Sequence, residues 1–117
     1  MQEHNINQLY SNTIGMTFQW KRSNLTNYKK INLIFNNTGL HLTTKELEEF
    51  LCYVQKALAA SSWCKEYDGK DSKSILLETP FQQLSFAMSY KDLESMKDLI
   101  KGTLFQLGLD KFIKDTL

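Results

Sequence analysis

Arginine is almost missing from this chain. Thirteen of its 14 basic residues are lysines, and Arg22 stands alone. Repeated bidentate recognition of phosphate or guanine is therefore not available. Charge of either sign is also scarce in net terms. Fourteen Lys and Arg face 13 Asp and Glu, leaving +1, so nothing draws the whole molecule toward DNA, RNA or anionic lipid. The two cysteines, Cys52 and Cys64, make no disulfide framework and lack the paired spacing of a zinc site. Most of a helix separates them, which argues against a disulfide or a shared metal. The five glycines form neither G-x-G-x-x-G nor G-x-x-x-x-G-K-[ST], so no loop is shaped to cradle a nucleotide. Of the two histidines, His4 lies in the polar N-terminal stretch, and His41 has no acid or second histidine placed near it by sequence. No catalytic residue, metal ligand or cofactor site is expected. No apolar run approaches the roughly 20 residues of a membrane span, and the first twelve residues lack the basic and apolar regions of a signal peptide. The expected setting is the cytoplasm.

What the chain does have is enough apolar substance for one core: 42% of its 117 residues, with seven Phe, five Tyr and two Trp. Residues 1–12 are polar and aperiodic and read as a flexible N-terminal tail, leaving 13–117 as a single domain. "IGMTFQW" alternates from Ile14 to Trp20, with Ile14, Met16, Phe18 and Trp20 on one face. That period of two predicts a half-buried strand. "INLIF" (31–35) and "LHL" (40–42) predict a hairpin closed by "NNTG". Thr43 and Glu46 form a capping box, and Leu47, Phe50, Leu51, Val54, Ala57 and Leu58 fall on one helical stripe. "ILLE" (75–78) and "LSFAM" (84–88) predict a second hairpin around Pro80. Ser89 and Asp92 repeat the cap, ahead of a stripe through Leu93, Met96, Ile100, Leu104 and Leu107, with Gly108 placed for a C-terminal cap.

The phrase "LTTKELEEF" (42–50) thus returns as "MSYKDLESM" (88–96). Each copy joins a hairpin to a capped helix, the pattern of a ββα internal repeat. The expected fold is α+β in two layers. A mainly antiparallel sheet of about five strands carries both helices on one face, in the order β-β-β-α-β-β-α. Gly15, Thr17, Gln19, Asn32, Ile34, His41, Ser85 and Ala87 would occupy the other sheet face.

The run "INLIFNNTGLHLTTKELEEF", with "SILLETP" and "LSFAMSYKDLESMKDLI", resembles small uncharacterised bacterial proteins in which a hairpin-plus-helix pattern is likewise written twice. The resemblance covers about residues 28–110. It implies a bacterial cytoplasmic origin, and it carries over no activity and no site residue.

Two binding expectations follow. The first is a non-catalytic protein–protein interaction or adaptor domain, with a protein partner or a second copy meeting Trp63, Tyr67, Phe81 and His41. Tyr and Trp are favoured at interfaces, although they serve equally as lids over a small core. The second is single-stranded nucleic acid bound by "WKRSNLTNYKK". There Trp20, Lys21, Arg22, Tyr28, Lys29 and Lys30 combine stacking groups with cations. A solvated loop explains the same residues, and no basic stripe elsewhere matches it.

Overall fold

A computed structural model describes residues 6–21, 30–62 and 72–116, with side chains through Gly108. The elements are β1 (Ile6–Ser11), β2 (Gly15–Trp20), β3 (Ile31–Phe35), β4 (Thr38–Leu42), α1 (Thr44–Ala60), β5 (Ile75–Glu78), β6 (Ser85–Met88) and α2 (Tyr90–Thr116). The class is α+β, and every strand pairing is antiparallel. The strands form two sheets, one of four in the order β1-β2-β3-β4 and one of two, β5-β6.

The repeated phrase folds as its residue types dictate. The Thr43 hydroxyl accepts from the Glu46 N–H at 3.1 Å, and the Glu46 carboxylate accepts from the Thr43 N–H at 2.9 Å. At the second copy, Ser89 accepts from the Asp92 N–H at 3.0 Å, while Asp92 accepts from the Ser89 N–H at 3.1 Å. Each box satisfies two N–H groups that the first helical turn leaves without partners. The hairpin ahead of α1 turns at Asn36, whose φ of 52° lies in the left-handed region that Asn tolerates.

The core lies between the four-stranded sheet and the helices. Ile31, Leu33, Phe35, Leu40 and Leu42 come from the sheet; Leu47, Phe50 and Val54 from α1; Leu93, Met96, Leu99 and Ile100 from α2. The small hairpin adds Leu77 and Met88, and Phe86 meets Phe35 edge to face at 4.9 Å. This hairpin docks by side chains and not by a backbone ladder, which is why the single sheet of about five strands is in fact two sheets. In the hairpin's turn the buried Thr79 hydroxyl bonds the Phe81 and Leu84 carbonyls and accepts from the Phe81 N–H.

Three further expectations are corrected. Residues 6–11, read as part of a loose tail, are an edge strand. Its register slips between Gln8 and Tyr10, so one extra residue destroys the period-two pattern that marks a strand in sequence. α2 does not stop at Gly108 but continues to Thr116, and none of the described glycines takes a positive φ. Most consequential is β2, which faces the opposite way from the expectation. Thr17 lies opposite Leu33 in register, is fully buried, and meets Thr103 of α2 at 2.6 Å between hydroxyls. Met16, Phe18 and Trp20 therefore point away from the helices.

The reason is the close approach of α2. Gly102 of that helix lies under the Tyr10 ring, three of whose carbons stand 2.6 Å from where a Cβ would be. Gly15 is equally confined, since its Cβ would fall 2.1 Å from the Ile34 carbonyl oxygen. Small residues line the inner side of β2, and the large ones go outside. The Tyr10 hydroxyl donates to Asp98 at 3.0 Å, and the Asn12 amide donates to Asp98 and to the Ser95 carbonyl at 2.9 and 2.8 Å. The Asp98 hydrogen bond, with partial burial and the carboxylate's charge, raises the Tyr10 pKa above that of an ordinary phenol. These contacts hold β1 to α2.

Candidate binding face

With both helices packed on one side, the opposite side of the four-stranded sheet is covered by none of the other described elements. The strand register fixes what it displays. Ile6 pairs with Trp20, Gln8 with Phe18 and Ser11 with Met16; Met16 and Phe18 pair in turn with Ile34 and Asn32; and these pair with Gly39 and His41. The face is therefore an apolar field of Ile6, Met16, Phe18, Trp20 and Ile34 beside one polar pair.

Its geometry is specific. Phe18 and Trp20 meet edge to face, with centroids 5.4 Å apart and planes at 89°. Phe18 is only 5% exposed although it lies outside the core cluster, whereas Ile34 is 39% exposed. Ile34 is open on one flank because its β4 neighbour is Gly39, beside which no described atom lies within 4 Å of a built Cβ. The result is an apolar side chain next to a notch.

The polar pair is ordered too. The buried Asn32 amide donates to the Phe18 carbonyl at 3.4 Å, which turns its oxygen toward His41 Nδ1 at 2.5 Å. With an oxygen facing it, His41 donates from Nδ1. Among the described residues no carboxylate or thiol accompanies it, and no group of three His, Cys, Asp or Glu could hold a metal ion.

Of the residues singled out from sequence, Trp20, Lys21, Lys30 and His41 come together at one end of this sheet. Lys21 directly follows β2 and is exposed; Lys30 directly precedes β3 and is half-buried. Arg22, Tyr28 and Lys29 lie outside the described residues, as do Trp63 and Tyr67. Phe81 is half-buried and packs against the core at the small hairpin's turn, away from His41. Met16, Phe18 and Ile34 belong to the same face, yet alternation alone assigned Met16 and Phe18 to the core. One signal in the sequence marks the face: no Asp or Glu occurs between Glu3 and Glu46, a stretch that contains all four of its strands.

Polar groups also gather in a second region, around Glu78. A cleft of about 620 Å³ is lined there by Tyr53, Glu78, Thr79 and Gln82, with a smaller one of about 300 Å³ reaching Lys56 and Leu76. Tyr53 donates to Glu49 at 3.0 Å; that bond, the charge of Glu49 and partial burial raise the tyrosine's pKa. The Thr79 hydroxyl is engaged in its own turn. Ser85 also lines the larger cleft, opposite Glu78 in register, but among the described residues no hydrogen bond joins the two as nucleophile and base.

The family model for DUF6686, a family of unknown function, matches residues 3–113. The chain belongs to that family. No curated protein and no solved structure matches it. The matched span takes in the whole sheet, α1, the small hairpin and all but the last three residues of α2. No helix among the described residues is long and apolar enough to cross a membrane.

Proposed function

We propose that this is a non-catalytic interaction domain that docks a protein partner on the outer face of its four-stranded sheet. One observation carries the reading: β2 turns Met16, Phe18 and Trp20 away from the core, beside Ile34. A sheet face meant only for water alternates apolar-in with polar-out, and β2 does the reverse.

Area decides what kind of partner fits. Four strands at about 4.8 Å spacing, each about five residues at 3.4 Å, give a footprint of roughly 19 by 17 Å, or about 320 Å². A stable dimer needs about 800 Å² per partner. A second copy stacked on this face alone falls well short, so the occupant is a segment of another protein, held weakly or extended beyond the sheet. The setting is taken to be a bacterial cytoplasm, a reading supported by Cys52, a free and exposed thiol that suits a reducing compartment.

A photo-crosslinking residue at Ile34, compared with one at exposed Phe105 on α2, tests the proposal in cells. The reading expects a discrete protein adduct from position 34 only. No adduct at 34, or identical adducts at both positions, refutes it. A second reading, single-stranded nucleic acid, draws support from Trp20 standing beside Lys21 and Lys30, and predicts adducts that nuclease removes.

A further inference from the structure

We infer that the partner segment is acidic, with a large apolar side chain spaced from its carboxylates. This rests on the docking face just proposed and adds the chemistry of what docks there. Twelve of the 13 carboxylates lie at or after Glu46. Those with described side chains stand on α1 (Glu46, Glu48, Glu49), β5 (Glu78) and α2 (Asp92, Glu94, Asp98). The sheet contributes none. Its face is bordered by Lys21 and Lys30, neither in an ion pair with a described residue, while Lys73 is paired with Asp92 on the far side of the fold.

The near-zero net charge is thus unevenly placed: residues 1–43 hold four basic groups against Glu3 alone, whereas the helices are nearly balanced, with Lys45, Lys56, Lys91, Lys97 and Lys101 beside their six described carboxylates. Sheet and helix layers stand about 10 Å apart, beyond the screening length of about 8 Å at physiological ionic strength. The helical carboxylates therefore do little to neutralise the sheet's end. An acidic segment gains there by attraction and by faster encounter, and a basic one is repelled.

The apolar half of the face selects protein over nucleic acid. Base stacking needs open aromatic faces, but Phe18 is buried edge-on against Trp20, and the rest is aliphatic. A phosphate backbone also needs cations along its path, whereas Lys21 and Lys30 sit at one end only. From Lys30 to Ile34 is four residues of strand, about 13 Å. An extended partner would place its carboxylates about four residues from the aliphatic side chain that enters the notch at Gly39.

The experiment is an amide NMR titration of the full chain with three probes. One is a ten-residue peptide with Glu at positions 2 and 3 and Leu at position 7; one is its Lys-for-Glu counterpart; one is a ten-residue oligothymidine. The inference expects the acidic peptide to shift Trp20, Ile34 and His41. Its affinity should fall about tenfold between 50 and 300 mM salt, and about tenfold in Lys21→Glu/Lys30→Glu, a doubly substituted chain whose unperturbed spectrum elsewhere certifies its fold. Equal binding of the acidic and basic peptides at this face overturns the acidic partner while leaving the docking face standing. Shifts confined to α1 and α2, or none with either peptide, overturn both. Oligothymidine binding these residues more tightly than the acidic peptide assigns the face to nucleic acid instead.

Discussion

Gly102→Ala poses a sharp question, because two effects of known sign oppose each other. Within a helix, Ala is favoured over Gly by about 1 kcal/mol. At this position, however, the new Cβ would stand 2.6 Å from three carbons of the Tyr10 ring, against an ordinary carbon–carbon contact of about 3.5–4.0 Å. Tyr10 must lift by about 1 Å. Doing so strains its hydroxyl away from Asp98, now 3.0 and 3.2 Å from the two carboxylate oxygens. Overpacking of this kind costs about 1–3 kcal/mol, so the net effect should be a destabilisation of about 0–2 kcal/mol. It should be local to β1, an edge strand held by one ladder and by Tyr10 and Asn12. Hydrogen exchange should show β1 amides losing protection while α2 keeps its own. The decisive arm is Tyr10→Ala. In that background the ring is gone and Gly102→Ala should become stabilising by about 0.5–1 kcal/mol in denaturant unfolding. If Gly102→Ala stabilises the parent chain by the full helix-propensity gain and leaves β1 protected, the account of how the first strand is held is wrong.

Thr17 and Thr103 form a directional pair: Thr103 donates to the Leu99 carbonyl at 2.7 Å, so Thr17 must donate to Thr103. Thr103→Val leaves the buried Thr17 hydroxyl only the Tyr10 carbonyl at 3.4 Å and should cost about 1–2 kcal/mol, whereas Thr17→Val should cost less than about 1, and the double Val change no more than Thr103→Val alone; equal single costs in urea unfolding would refute the assigned direction. At Asp92, burial pushes the carboxyl pKa up, but hydrogen bonds from Lys73 and from the Ser89 N–H and hydroxyl, with the lysine's charge, bring the net below the ordinary value. A depressed folded pKa means stability that is present above the ordinary aspartate range and is lost as pH falls through the folded value. Asp92→Asn should therefore destabilise at pH 7 and converge with the parent as pH drops toward 3; a gap independent of pH would refute the pairing.

How far the sequence could be read follows from which forces leave a one-dimensional trace. Both capping boxes were legible, because Thr43/Glu46 and Ser89/Asp92 act on neighbours three residues away. The core of β3, β4 and the helices was legible from spacing, because Leu33, Leu42, Phe50 and Ile100 sit where a single buried face demands them. β1 was not, since a bulge at Leu9 erased its alternation and its fixing groups, Tyr10 and Asn12, find their partners on α2. β2 showed the right period and gave the wrong face. Alternation locates two faces but does not say which one meets the helix. That choice was set by α2 approaching β1 and β2, where Gly102 meets Tyr10 and Thr103 meets Thr17, contacts between residues more than eighty apart in sequence. The proposed docking face was hidden by the same inversion, because Met16 and Phe18 pass for core until the side they occupy is known.

Gly39 offers the cleanest separation between a face that is merely exposed and one that is used. Its φ is not positive, and no described atom lies within 4 Å of its built Cβ, so neither backbone strain nor crowding requires glycine there. Glycine inside a strand is a loss, of roughly 0.5–1 kcal/mol relative to alanine, and a β-branched residue suits a pleated surface better still. On folding grounds alone, Gly39→Thr should stabilise by up to about 1 kcal/mol. If the notch beside Ile34 receives a partner's side chain, the same change fills it and should weaken docking about tenfold or more while raising the melting temperature. Improved stability with lost binding would tie this glycine to recognition. Improved stability with binding untouched would show that the notch is empty in use, and would remove Ile34 from the docking site.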